Sequence, residues 1–262
     1  MHSLAQNALF YCWRAALASP YLEMTLRVCA FALWSSLWPR RALKSRLEPI
    51  VGFRAYRIFY NLGTIGLLVW AYAFLIYRSP ETPVLWNLRG YVWFKPLIYL
   101  IEGLGVFFLT AVVQFGLSFW GLKNEPKTDG LHTGGFYKIT RHPLYWSVFC
   151  LFFGHMLVMG TALSVLFFVL MELYNVVGVI ALENRALARR FGQGFVEFRA
   201  RTSTVPFASL LAGRVKLVRG ELPLRWIIGA VLFTCVVATL HDSWIVRPFT
   251  WLRPMLDGAY TG

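Results

Sequence analysis

Residues 144–182 read LYWSVFCLFFGHMLVMGTALSVLFFVLMELYNVVGVIAL, an almost unbroken apolar run. A helix that crosses a bilayer needs about 20 mainly apolar residues, so this run is long enough for two. Gly160-Thr161 marks a tight turn near its middle. That predicts a helical hairpin of residues 144–159 and 162–182. Working outward, the runs 22–38, 56–77, 97–120 and 224–240 meet or approach the same length. The expected fold class is therefore all-α, an integral membrane helical bundle of about six transmembrane helices.

Composition agrees. Only 15% of the chain is charged, where a soluble domain carries about 25%, and the mean hydropathy is +0.55. The net charge of +14 sits in loops between apolar runs, without the interleaved basic and aromatic surface of a nucleic-acid groove. Nucleic acid is excluded as a partner on that ground, and the lipid bilayer takes its place. With six crossings, segments 39–57, 121–143 and 183–225 share one side and hold nineteen Lys and Arg residues, against six opposite. The positive-inside rule makes the basic side cytoplasmic, facing inward from the inner membrane if the source is bacterial, with both termini across the bilayer. No cleavable signal peptide is evident, because Arg14 interrupts the first apolar stretch. The four cysteines lack metal spacing and read as inert core thiols. Residues 1–96 form two N-terminal membrane helices with loops, 97–207 a core, and 208–262 a C-terminal extension with one further helix.

Two polar clusters stand out on the basic side. The first is Gly134-Gly135-Phe136-Tyr137 followed by Arg141-His142-Pro143-Leu144-Tyr145 at the mouth of a helix. Pro143 suits a first helical turn, where its missing N–H is no loss. His142 then stands at a helix entrance, where free N–H groups attract anions. A plain helix start with interfacial Arg and Tyr anchors explains the same residues. The second cluster holds Glu183-Asn184-Arg185, Phe191-Gly192, Phe195, Phe198 and Arg199. Glu172, Asn175 and Glu183 fall on one helical stripe at 3.6 residues per turn. Carboxylates inside membrane helices are costly and seldom face lipid, so the stripe points to a pocket or to a buried structural pair. His155 and Glu102 are further intramembrane candidates, each equally readable as a packing residue.

The two clusters, separated by a helical hairpin, resemble the isoprenylcysteine carboxyl methyltransferase superfamily over about residues 97–207. Pro39-Arg40-Arg41 and Tyr56-Arg57-Ile58-Phe59-Tyr60-Asn61 look like its NnrU-type and methanethiol S-methyltransferase branches. The resemblance implies an S-adenosylmethionine-dependent methyltransferase acting on a small hydrophobic thiol or carboxylate acceptor. Gly135, Tyr137, Arg141, His142, Pro143, Tyr145 and Glu183 would hold the cofactor. His142, Arg141, Arg199 and Glu183 would be catalytic, with Glu172, Asn175, Phe195 and Phe198 lining the substrate pocket. Asn184, Phe195 and Phe198 depart from the superfamily's second acid and its two tyrosines.

Carotene isomerases share NnrU-type sequence, which gives a rival: a haem-dependent isomerase with His155 as the iron ligand. A non-catalytic membrane assembly or transport factor is the third reading. No HExxH, CxxC, GxSxG, Walker or GxGxxG fingerprint occurs, so no metal site other than haem and no soluble-type nucleotide site is expected.

Overall fold

A computed structural model describes residues 19–113, 131, 133–218, 220–222 and 224–240. Within them the chain is helical, and the one β-type contact is an isolated bridge between Val84 and Thr161. The positions 114–120, 121–130 and 241–262 of the runs and loops considered above fall outside the described residues.

Helix α1 spans Pro20–Leu37, opening on a proline at its first turn. A short polar helix α2, Arg41–Val51, follows and is stopped by Gly52 at φ +83°. Helix α3 runs Phe53–Arg78 and α4 runs Phe94–Val113. A single turn, α5 (Phe136–Ile139), precedes the hairpin helices α6 (Pro143–Met159) and α7 (Ala162–Leu173). Helix α7 continues through a π-helical segment, Tyr174–Ile180, into α8 (Ala181–Phe191). Then come α9 (Gln193–Arg201), α10 (Ala208–Leu211) and α11 (Leu224–Leu240).

Phe53–Glu81, Phe94–Ala111 and Ala162–Phe191 are long and apolar enough to cross a membrane. Pro143–Met159 and Leu224–Leu240 are apolar but shorter. A helical membrane bundle is therefore the architecture, and the hairpin turns where expected, at Gly160-Thr161. Two stretches expected as loops are helical instead. Residues 41–51 form α2, and 183–211 carries α8, α9 and α10. Their polar, charged sequences do not advertise helices, but glycines at φ +83° and +53° cut them into short pieces.

Helices packed in lipid gain little from hydrophobic burial, so close backbone approach matters more. Gly105 of α4 and Gly154 of α6 supply it. A Cβ on Gly105 would lie 2.9 Å from Leu151, and one on Gly154 would lie 2.8 Å from Glu102. Helices α1, α3 and α7 enclose a second seam of Met24, Val28, Phe31, Phe74, Leu75 and Phe167. Arg27 pins α1 to α3: it pairs with Glu23 one turn back, donates to the Trp70 carbonyl at 3.3 Å, and lies 4.1 and 4.2 Å from the Trp70 and Phe74 rings.

At the hairpin tip Gly160 is left-handed, with φ +64° and ψ 22°. Thr161 and Ser164 form a reciprocal capping box at the start of α7. Residues 83–89 strap across this tip. Leu85 N–H donates to the Gly160 carbonyl at 2.7 Å, Ala162 N–H to Pro83 at 2.9 Å, and the Trp86 indole to Leu157 at 3.0 Å. The opposite end of the hairpin carries the polar clusters.

Candidate functional site

His142 is the N-cap of α6, with φ −130° and ψ 62°, and Pro143 occupies the first helical turn. The residues around it are fixed by a zipper to the segment 199–207. Arg141 N–H donates to the Ser203 carbonyl at 2.9 Å, and Phe207 N–H to Ile139 at 3.0 Å. The Thr140 hydroxyl and the Trp146 indole both donate to the Thr204 carbonyl at 2.7 Å. The Arg141 guanidinium completes the zipper, giving bonds of 3.0 and 2.6 Å to the carbonyls of Arg199 and Thr202 and 3.1 Å to the Thr204 hydroxyl. Burial, then the neighbouring Arg199 and Arg214, lower its pKa from the usual arginine value.

Held this way, the His142 side chain is 3% exposed. Its Nδ1 lies 3.5 Å from Glu183 Oε2, and the Tyr145 hydroxyl donates to that same oxygen at 2.8 Å. His142 Nε2 is buried with no hydrogen-bond partner in the protein. Tyr137 faces the same carboxylate: burial first, and the Glu183 charge second, raise its phenol above the ordinary tyrosine pKa. Glu183 is thus the focus of His142, Tyr145 and Tyr137, which α5, α6 and α8 bring from three parts of the chain. Tyr60 and Tyr174 stand within electrostatic reach of Tyr145. Their role was not legible in isolation, although Tyr60 lies within the Tyr56–Asn61 segment singled out above.

Other candidates fall elsewhere. Gly135, at φ +59°, packs on the Glu221 backbone and starts α5. Arg199 contributes its carbonyl to Arg141 while its side chain is exposed. Asn175 is buried and bonds Glu172 at 3.2 Å. Phe195 and Phe198 are 2% and 7% exposed, with ring centroids 6.5 Å apart, and form the inner face of α9. Glu172 and Glu183 do not share a straight α-helical stripe. The i→i+5 turns of Tyr174–Ile180 intervene and take in extra residues, rotating α8 relative to α7. His155 sits 13 positions along α6, where Nδ1 meets the Leu151 carbonyl at 2.8 Å and Glu102 at 3.4 Å, with Tyr72 edge-on at 5.5 Å. Among the described residues, no group of three or more His, Cys, Asp or Glu side chains could hold a metal ion by itself.

Known sequences decide how this arrangement is read. The NnrU protein family matches residues 23–248. The chain belongs to the NnrU protein family. Two curated relatives of this NnrU protein are both named 15-cis-zeta-carotene isomerase, chloroplastic. The one from Zea mays is 29% identical over 178 residues, covering 67% of this chain and 47% of the relative. The one from Arabidopsis thaliana is 26% identical over 202 residues, covering 75% and 52%. The chain spans about half the length of each. No solved structure matches it.

These findings correct the reading of the clusters as an isoprenylcysteine carboxyl methyltransferase site. Neither transferase activity nor S-adenosylmethionine as cofactor is supported, since the similarity runs to NnrU proteins and carotene isomerases. There is a physical reason why the motif misled. A glycine turn, an Arg-His-Pro helix start and an acidic residue after a hairpin are what any zipped membrane-helix entrance can use. The positions that would separate the families, Asn184, Phe195 and Phe198, are those at which this chain departs, and the two phenylalanines are packed inward.

Proposed function

We propose that this NnrU protein is a membrane isomerase that interconverts cis and trans double bonds in a lipid-soluble polyene, working at His142 on the basic, cytoplasm-facing end. The observation that carries the reading is the buried, unpartnered Nε2 of His142, with Nδ1 turned toward the Glu183 carboxylate. Buried polar atoms are nearly always satisfied, and an open imidazole nitrogen whose ring neighbours a carboxylate has the chemistry of a ligand-binding position, which supports the reading. The substrate class comes from the two relatives' names.

Double-bond rotation requires the bond order to fall. Haem is the cofactor of the rival isomerase reading given above, and the residues around His142 fit it. Imidazoles that ligate metals have their second nitrogen oriented by a carboxylate or carbonyl. His142 has that arrangement, and its Nε2 would hold the iron. A bound haem iron would supply the redox or Lewis-acid chemistry that weakens a polyene double bond. The chain's own side chains do the rest. Glu183 stands 3.5 Å from His142 Nδ1, where its charge favours a proton on that nitrogen, and Tyr145 holds Glu183 by a 2.8 Å hydrogen bond. Trp146 and the Thr140 hydroxyl, both bonded to the Thr204 carbonyl, brace the helix entrance that carries His142. His155, also oriented through Nδ1, is the alternative ligand. It lies about 20 Å along α6 at 1.5 Å per residue, too far for both to hold one iron.

The test is conversion of 15-cis-ζ-carotene by the detergent-purified protein, followed by chromatography of the isomers, with an absorption spectrum of each variant. His142→Ala is expected to cut turnover about 100-fold or more and to remove a Soret band that His155→Ala leaves in place. Equal turnover by wild type and His142→Ala sinks the site. Absence of turnover by the wild type sinks the function.

A further inference from the structure

Below His142, α6 carries Trp146, Phe149 and Phe153. The spacings of four, three and four residues place all of them on the face of His142. The rings touch in sequence. Trp146 lies 5.2 Å from Phe149, edge-on, and Phe149 stacks on Phe153 at 5.5 Å with an interplanar angle of 15°. Phe168 of α7 closes the far side, 5.6 Å from both Phe149 and Phe153. The adjoining face of α6, by contrast, buries small residues: Ser147, Cys150 and Gly154. Trp146 packs inward against the cluster that holds Phe108 and Phe136, and all four residues are only half-buried, so each keeps accessible surface.

We propose that these rings form a rail that binds an extended, conjugated isoprenoid hydrocarbon, admitted from the lipid between α6 and α7 and led along α6 to His142. This rests on the isomerase reading for its catalytic end. The rail is continuous with the His142 site and runs about 16 Å along α6. Ring faces and edges present alternating quadrupole signs, which suit a flat, polarisable π-chain. A rigid polyene also loses little conformational freedom on binding, unlike a saturated chain. Phe149, Phe153 and Phe168 are positioning residues in this scheme and do not touch the reacting atoms' ligand.

The test is induced circular dichroism of 15-cis-ζ-carotene in its visible absorption region, titrated into the purified full chain in detergent. It reports binding without turnover. Phe149→Leu and Phe153→Leu are each expected to weaken binding about fivefold and to raise KM while leaving kcat unchanged. Tyr99→Leu, which removes an exposed ring from α4, is expected to leave the signal intact, and excess squalane should not displace the polyene. Each variant is checked for an unchanged elution volume and melting temperature, so that lost binding is not lost fold. No induced signal with the wild type overturns the rail. So does a signal that the folded Phe149→Leu and Phe153→Leu proteins retain in full. A ring-dependent signal in a protein without turnover upholds the rail and sinks only the isomerase reading.

Discussion

At φ +59° and ψ −124°, Gly135 has a backbone that side-chain-bearing residues rarely adopt, and an added Cβ would lie 3.0 Å from the Glu221 carbonyl oxygen. Strained backbone of this kind costs about 1–3 kcal/mol per residue. Gly135→Ala is therefore expected to destabilise the protein by that amount, read as a lowered melting temperature in detergent. The sequence marks Gly135 as a close-approach glycine. It does not reveal that the neighbour is Glu221, 86 positions away, because spacing along a chain carries no information on which loop folds back. Glu221 itself supports a pH prediction. Lys138 Nζ bonds its carboxylate at 2.6 and 2.8 Å, and Val218 N–H adds 2.9 Å. Those hydrogen bonds, the Lys138 one foremost, hold its pKa below the usual carboxylate value. A depressed folded-state pKa gives stability that is present above the unfolded value and lost as pH falls through the folded one. The melting temperature of wild type should thus fall between about pH 5 and pH 3 by more than that of Glu221→Gln. Equal acid sensitivity of the two proteins would show that the clamp contributes nothing.

Among the elements, the hairpin was the most legible and the π segment the least. An apolar run of double length interrupted by Gly-Thr has one compact solution in a bilayer, and Gly160 takes the left-handed conformation that the turn requires. Its Cβ would fall 2.1 Å from the Trp86 carbonyl oxygen, so Gly160→Ala has to displace the strap as well as strain the turn. A loss of about 2 kcal/mol or more is expected, with proteolysis in the 83–89 strap as a second readout. The π segment leaves no comparable mark. Tyr174–Ile180 reads as ordinary apolar helix, so periodicity alone placed Glu172 and Glu183 on one stripe and missed the rotation that aims Glu183 at His142. Helix α1 shows the same limit. Nothing in the sequence singles out Arg27, yet it is buried against Trp70 and Phe74 with Glu23 beside it. Truncating Arg27, the buried member of the pair, removes its bond to the Trp70 carbonyl and both ring contacts together, at about 1–3 kcal/mol. Arg27→Ala should therefore destabilise α1 against α3 far more than the double change Arg27→Met with Glu23→Gln, a difference that thermal melts in detergent will measure.

For the whole molecule, the described basic residues of α2 and of segments 133–143 and 183–218 lie toward the end where α5, α6 and α8 converge on Glu183, while the strap 83–89 and the hairpin tip lie at the other. On the six-crossing topology read from the sequence, nineteen Lys and Arg against six predict, through the positive-inside rule, a His142 entrance toward the cytoplasm. That bias acts on insertion and is independent of the catalytic reading, so it can be tested alone. Ser45 of α2 and Asn87 of the strap are both exposed and stand at opposite ends. In a background with the four native cysteines replaced, Ser45→Cys should resist a membrane-impermeant maleimide in sealed, right-side-out vesicles and react only after permeabilisation. Asn87→Cys should react at once. The reverse pattern would place His142 on the outer face, and the rail along α6 would then draw its polyene toward the opposite leaflet.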